Sequence, residues 1–323
     1  MKRTIFIAGA LALAVTLPAV PAQAAAGRTF VSAAGSDTNP CTITMPCRNL
    51  QAAYNAVAPN GEVEALDPGN YGSLTITGPV TIQGHGWAGM STTTGAAITI
   101  NAAGATDKIN IFGVVADGLG ISGTNGIVFN SGGSLTVTNC VLQNFITVSE
   151  TTGIGILIQP TTGLLNFAIT NTTASNNQRG IVYEPQSGSA ITHGVIDHVG
   201  TNGNQQEGIT VLTSMASGGT TVVIIANSIA TNNGSDGILI ENQSAPSPIT
   251  ASIDNANVSN NAGGITAIGT PNVLLGRSVI SANSLTGVLN DTVPNTFYTY
   301  GDNRINLNNP DEETALNPAF TPK

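Results

Sequence analysis

A glycine followed by isoleucine or valine recurs at nearly constant spacing through the chain. Gly126-Ile127, Gly153-Ile154, Gly180-Ile181, Gly208-Ile209, Gly237-Ile238, Gly264-Ile265 and Gly287-Val288 succeed one another at intervals of 27, 27, 28, 29, 27 and 23 residues. Gly155-Ile156 is the alternative register for the second of them, because it restores the pattern that follows. A period of this length marks a solenoid, in which each repeat buries its apolar face only against its neighbours. After each glycine the apolar residues alternate: Ile127 and Phe129, Ile181 and Tyr183, Ile209 and Val211, Ile238 and Ile240. Alternation at period two predicts a strand with one buried face.

A second segment precedes each glycine. Aligned on a recurring polar residue, it gives the column Asp117, Asn139, Asn171, Asp197, Asn227, Asn255 and Ser278. Two residues earlier stand Val115, Val137, Ile169, Val195, Ile225, Ile253 and Gly276; five residues later stand Ser122, Asn144, Asn176, Asn202, Asn232, Asn260 and Asn283. The expectation is a right-handed parallel β-helix, an all-β fold whose rungs stack about 4.8 Å apart with like residues over like. Aliphatic columns fill its interior. Asn columns line its corners, where stacked amides bond along the file and Asn tolerates a left-handed backbone. Short β-rich runs at residues 64–66, 74–76, 80–82, 98–100 and 109–111 extend the stack towards the N-terminus, giving about nine turns.

Outside the repeat, Met1-Lys2-Arg3, the apolar run from Ile5 to Leu17 and Ala22-Gln23-Ala24 have the form of an export signal cut after Ala24. The run is too short to span a bilayer. The expected organisation is a signal peptide at 1–24, an extension with a cap helix at 25–60, the β-helix at 61–309 and a loose acidic tail at 310–323. Leu50, Ala53, Tyr54 and Val57 share one helical stripe in residues 47–57, which suits a cap over the open end of a solenoid. Cys41 and Cys47 stand close in an exported chain and are expected to pair. Cys140 reads as a small core residue.

Only 8% of residues are charged. Beyond Ala24, 7 bases face 18 acids, a net charge of −11. That balance argues against nucleic acid, which requires clustered bases, and against a loosely held anionic polysaccharide. No calcium repeat is present, so no cofactor is called for and Ca2+ has no motif to hold it.

The segments Asn39-Pro40-Cys41, Pro46-Cys47-Arg48 and Leu66-Asp67-Pro68-Gly69-Asn70-Tyr71, the Asn-Asn-x-x-Gly-Ile repeats and the ending Tyr300-Gly301-Asp302-Asn303-Arg304-Ile305 together resemble bacterial right-handed β-helix repeat proteins of the pectate-lyase-like superfamily. The resemblance spans nearly all of the chain after the leader. It implies the fold. It also brings in a range of activities, among them lyases, hydrolases, epimerases and surface proteins, and fold alone does not choose between them.

The motifs of the catalytic members are incomplete. Gly84-His85-Gly86 resembles a polygalacturonase motif but stands in an early turn, and Arg304-Ile305 is followed by Asn306 rather than Lys. Val195-Ile196-Asp197-His198 resembles a pectate-lyase segment without its Trp. Asp197 falls in the Asn column, which favours a corner role, and His193 aligns with inward Leu135, Phe167 and Val223, which favours a buried imidazole. The densest group of reactive side chains is Arg179, Glu184, Asp197, His198 and Glu207, with Glu241 recurring at the position of Glu184 two turns later. These are the candidate catalytic residues, Glu184 and Glu241 the candidate binding pair, and a polysaccharide or cell-surface glycan the candidate partner. The leading expectation is an exported structural or glycan-binding β-helix. The alternative is a polysaccharide lyase or glycoside hydrolase.

Overall fold

A computed structural model describes residues 25–147, 151–186, 188–243, 247–312 and 314–318. The expected leader, residues 1–24, lies outside them. The chain winds into a parallel β-solenoid of about ten turns. From Ser134 on, each full turn contributes one strand to each of three parallel sheets, while Val80–Ser91 and Lys108–Asp117 each run through the first two. One turn runs Thr162–Thr170 in the first sheet, Thr173–Ser175 in the second and Arg179–Tyr183 in the third; the next runs Ser189–Asp197, Gly200–Asn202 and Ile209–Leu212. Each strand pairs in parallel with its counterpart one turn on.

The interior is a set of straight columns. In the third sheet Ile127, Ile156, Ile181, Ile209, Ile238, Ile265 and Val288 lie in register. Gly155-Ile156 is thus the true second repeat. In the first sheet Val137, Ile169, Ile196, Ile225, Ile253 and Leu275 do the same. All are buried. Each such side chain contributes roughly 1.5–3 kcal/mol by leaving water. The aromatics Phe129, Phe167 and Tyr183 sit inside as expected, with the rings of Phe167 and Tyr183 5.8 Å apart.

The three corners differ. Between the first and second sheets every turn from Thr138 to Val279 uses two residues: 139–140, 171–172, 198–199, 227–228, 255–256 and 277–278. The first of each pair has positive φ: Asn139, Asn171, His198, Asn227, Asn255 and Arg277. This corrects the expected column. Asp117 pairs with Gln143 in the second sheet, and the left-handed position is held by His198 rather than the preceding Asp197 and by Arg277 rather than the following Ser278. The expected alignment had slipped by one in those turns, because a left-handed corner accepted residues other than Asn. The same slip misplaced His193. It pairs with Asn166 and Val222 and points outward, exposed, while Gly194 takes the inward slot. A Cβ on Gly194 would lie 2.1 Å from Phe167 Cζ, so the glycine makes room for that ring.

Between the second and third sheets the amides stack in a buried file. The backbone N–H of Asn177 donates to Asn204 Oδ1, and Asn204 Nδ2 donates to Asn233 Oδ1 at 2.9 Å. Asn233 donates in turn to Asn261, Asn261 to Asn283, and Asn283 to Asn308. A shorter exposed file runs from Asn255 to Asn227 to Asp197 at the other corner, each donor 2.7 Å from its acceptor. The other two corners vary: the return from the third sheet to the first takes two residues at 270–271 and seven at 213–219, and the link from the second to the third takes three at 176–178 and ten between Gln143 and Ile154.

The ends also depart from the expected boundaries. Ala26–Val31 pairs with Val57–Ala65, so the first sheet begins well before residue 61. The helix spans Leu50–Ala56, burying Leu50 and Ala53 over the first turn, and Cys41 and Cys47 form a disulfide beside it. At the other end Asn317–Pro318 pairs with Tyr298–Thr299, so part of the acidic tail continues the first sheet. Among the described residues no helix is long and apolar enough to cross a membrane.

Candidate functional site

The outer surface of the third sheet gathers the ionisable groups. In three consecutive turns the residue before the repeat glycine is Arg179, Glu207 and Asp236. The register of Ile181, Ile209 and Ile238 sets them in one outward file, and Asp236 pairs with Gly263 on the next rung. Arg179 Nε donates to Glu207 Oε2 at 2.7 Å, with the two side chains only 9% and 12% exposed. The low exposure strengthens this pair relative to a surface ion pair. Neighbouring rungs put the Glu207 and Asp236 positions about 5 Å apart.

Asp236 is the unusual group. Thr266 Oγ1 donates to its Oδ1 at 2.9 Å. Burial pushes its carboxyl up from the ordinary value to about 6; the Thr266 bond partly offsets this, and the negative Glu207 adds to it. Arg179 neutralises Glu207 but makes no bond to Asp236, so two carboxyls on adjacent rungs meet different environments. Asp236 borders a depression of about 260 Å³ lined by Ser235, Ala262, Gly263, Thr266 and Leu289.

Not every residue singled out from sequence comes to this surface. Arg179 and Glu207 do. Glu241 stands on the same sheet and Glu184 just past the end of its strand there, at the position that follows the inward Ile240 and Tyr183, two turns apart as expected. Asp197 and His198 are elsewhere, at the corner of the first and second sheets. There His198 Nδ1 and Asp197 Oδ2 are 2.8 Å apart. Asn227 first, and then His198, hold the Asp197 carboxyl below its usual range. It is ionised and committed to the exposed file. The expected five-residue cluster therefore divides into two separate places. Asp236 was not singled out, although its signal was present: three ionisable residues stand immediately before the repeat glycine in three successive turns.

A larger depression, about 400 Å³, lies beside Asp254, Gly276, Arg277, Tyr300 and Asp302. Its charges satisfy one another. Arg277 bonds Asp254, and its backbone N–H donates to Asp302. Cys140 is buried in the core, where desolvation pushes its thiol up to about 11, so it is no nucleophile at neutral pH. Among the described residues no three His, Cys, Asp or Glu side chains are grouped to hold a metal ion.

Sequence and structure comparisons agree with this architecture. The family described as "right handed beta helix region" matches residues 96–280. The chain belongs to the right-handed β-helix family. No curated protein matches this β-helix chain. Among solved structures it is similar to the pectate lyase Pel9A, at 15% identity and a TM-score of 0.53 over 89% of this chain and 78% of that one. It is also similar to a rhamnogalacturonan lyase, at 14% identity and a TM-score of 0.47 over 80% and 75% of the two chains. The A-module of the mannuronan C-5 epimerase AlgE4 from Azotobacter vinelandii matches at 16% identity and a TM-score of 0.41, over 92% and 88%. At 15% identity the likeness to the pectate lyase Pel9A is one of fold.

Proposed function

We propose that this β-helix protein is exported and binds an extended, neutral glycan along the outer surface of its third sheet. One observation carries the reading: Arg179, Glu207 and Asp236 stand in file on successive rungs beside an open depression, on a sheet whose other outward side chains are mostly packed. A rigid parallel sheet repeats its polar groups at a fixed step, which suits a polymer better than a compact ligand. Two carboxyls against one guanidinium, on a chain rich in acids, favour a neutral polymer over a polyanion. The superfamily resemblance and the fold shared with a pectate lyase support a carbohydrate partner.

Affinity electrophoresis of the exported protein in gels containing neutral polysaccharides tests this. Retardation by at least one polymer is expected, weakened in Glu207→Gln and Asp236→Asn. Mobility unaffected by every polymer, or retardation that both variants keep in full, would refute it. N-terminal sequencing of secreted protein should start at Ala25.

A second reading, a carbohydrate-active enzyme, rests on the contrast between Asp236, with a pKa near 6, and Glu207, paired with Arg179. Asp236 would supply the proton to a glycosidic oxygen, with the Glu207 carboxyl, held by Arg179, across the bond. New reducing ends from a neutral polysaccharide, abolished in Asp236→Asn, are the expected result. Their absence across the polymers that bind would reject catalysis and leave the binding proposal standing.

A further inference from the structure

The solenoid's first turns carry a second assembly, remote in sequence from the Arg179–Asp236 file. The strand Val80–Ser91 is interrupted: Gln83 pairs with Phe112, and the next paired residue is Ala88, opposite Val114. Residues 84–87 therefore loop out over Gly113. A Cβ on Gly113, which has φ +62, would lie 2.6 Å from Gly86 N, so the bulge can sit there only above a glycine. The bulge presents His85 and Trp87, the chain's single tryptophan. Trp87 is 44% exposed, although a large aromatic residue gains most by burial. Its Nε1 donates to the Ala65 carbonyl at 3.4 Å, and its ring lies 5.3 Å from that of His85. The indole is thus oriented while much of its surface meets solvent.

Polar groups surround it. His85 Nε2 is 3.1 Å from Glu64 Oε1, and Arg28 reaches both Glu62, at 2.7 Å, and Glu64, at 3.7 Å. Glu64 lies in register between Phe30 and Gln83, and Gln83 next to Phe112, with both phenylalanines half-buried on the outer side. Aromatic faces and hydrogen-bonding groups interleave over four rungs. The charges are already paired with one another, so the patch makes no demand for an ionic ligand.

We propose that Trp87, with Glu64, His85 and Arg28 at its rim, is a stacking platform for a neutral saccharide. A pyranose offers an apolar C–H face to the ring and hydroxyls to the rim at once. The site needs no contribution from the third sheet and stands whether or not a glycan binds there.

The single tryptophan makes its own probe. Emission of the full exported protein should change saturably with at least one of cellohexaose, xylohexaose, mannohexaose and chitohexaose. That sugar should also slow oxidation of Trp87 by N-bromosuccinimide, a readout that requires no variant. By calorimetry Trp87→Phe should retain the binding and Trp87→Ala should weaken it about tenfold. Asp236→Asn should leave the emission change intact. Unaltered emission together with unprotected oxidation for all four sugars would overturn the proposal. So would an emission change lost in Asp236→Asn, because the sugar would then be reporting only the third sheet.

Discussion

Asp236 lies tight against Gly263 of the next turn: a Cβ built on Gly263 would fall 2.0 Å from Asp236 Oδ1. The space left by a missing side chain thus holds the one carboxyl, among the described residues, whose proton affinity is strongly raised. Gly263→Ala should push Asp236 away from Thr266 Oγ1. Retardation by the bound polysaccharide should fall towards that of Asp236→Asn, at a cost of about 1–3 kcal/mol in stability. Full retention of binding by Gly263→Ala would mean that Asp236 does not act from its observed position.

The raised pKa of Asp236 also sets a pH dependence. Its folded value, about 6, exceeds the ordinary 3.8. The folded chain therefore holds this proton more tightly than the unfolded one. The group's favourable contribution is complete below about pH 4 and is lost as pH rises through about 6. Above that, an ionised Asp236 costs on the order of 3 kcal/mol. Asp236→Asn should match the parent in urea midpoint at pH 4 and exceed it at pH 8. Equal differences at the two pH values would contradict the shift.

Arg179 and Glu207 form an ion pair that is nearly buried, so removing one partner should be worse than removing both. Arg179→Met leaves Glu207 unpaired next to Asp236 and should cost about 3 kcal/mol. Adding Glu207→Gln should restore most of that, which a double-mutant cycle on urea midpoints would measure.

The two amide files should differ in worth. Asn233→Ala removes the acceptor for both the backbone N–H and the Nδ2 of Asn204, and the donor to the Thr201 carbonyl, all in the interior. About 3 kcal/mol is expected. Asn255→Gly, in the exposed file at φ 51, keeps the corner's backbone freedom and should cost under about 0.5 kcal/mol. Similar losses in thermal unfolding would show that burial does not govern the ladder.

Gly194→Ala places a methyl group against the Phe167 ring and should destabilise by about 2 kcal/mol. Pairing it with Phe167→Leu should recover most of the loss. Failure to recover would point to the backbone at residue 194 rather than the ring above it.

The repeat was legible in sequence because its columns carry one residue type for one physical reason. Ile181, Ile209, Ile238 and Ile265 fill the same interior slot, and Asn227 and Asn255 the same left-handed corner. Legibility failed where the corner accepts substitutes. His198 and Arg277 adopt positive φ where Asn does in the turns around them, so alignment by polar type chose Asp197 and Ser278 instead. That shift of one residue turned His193 from an outward to an inward position, since side chains alternate along a strand. The site was half legible. Arg179 and Glu207 stood out as scarce charges, but the search for complete catalytic motifs passed over Asp236. Its raised pKa depends on burial and on Glu207 one turn back, and neither lies near it in sequence.

From Thr138 to Val279 the corner between the first and second sheets is held to two residues, whereas the return from the third sheet to the first ranges from two to seven. The link from the second sheet to the third varies too, from three residues to ten, so growth is confined to two of the three seams. Insertions there can raise a wall alongside either outer sheet without moving an aliphatic or amide column. A protein built this way could be re-tooled for new polymers one rung at a time, each added loop being tested on a scaffold that does not feel it.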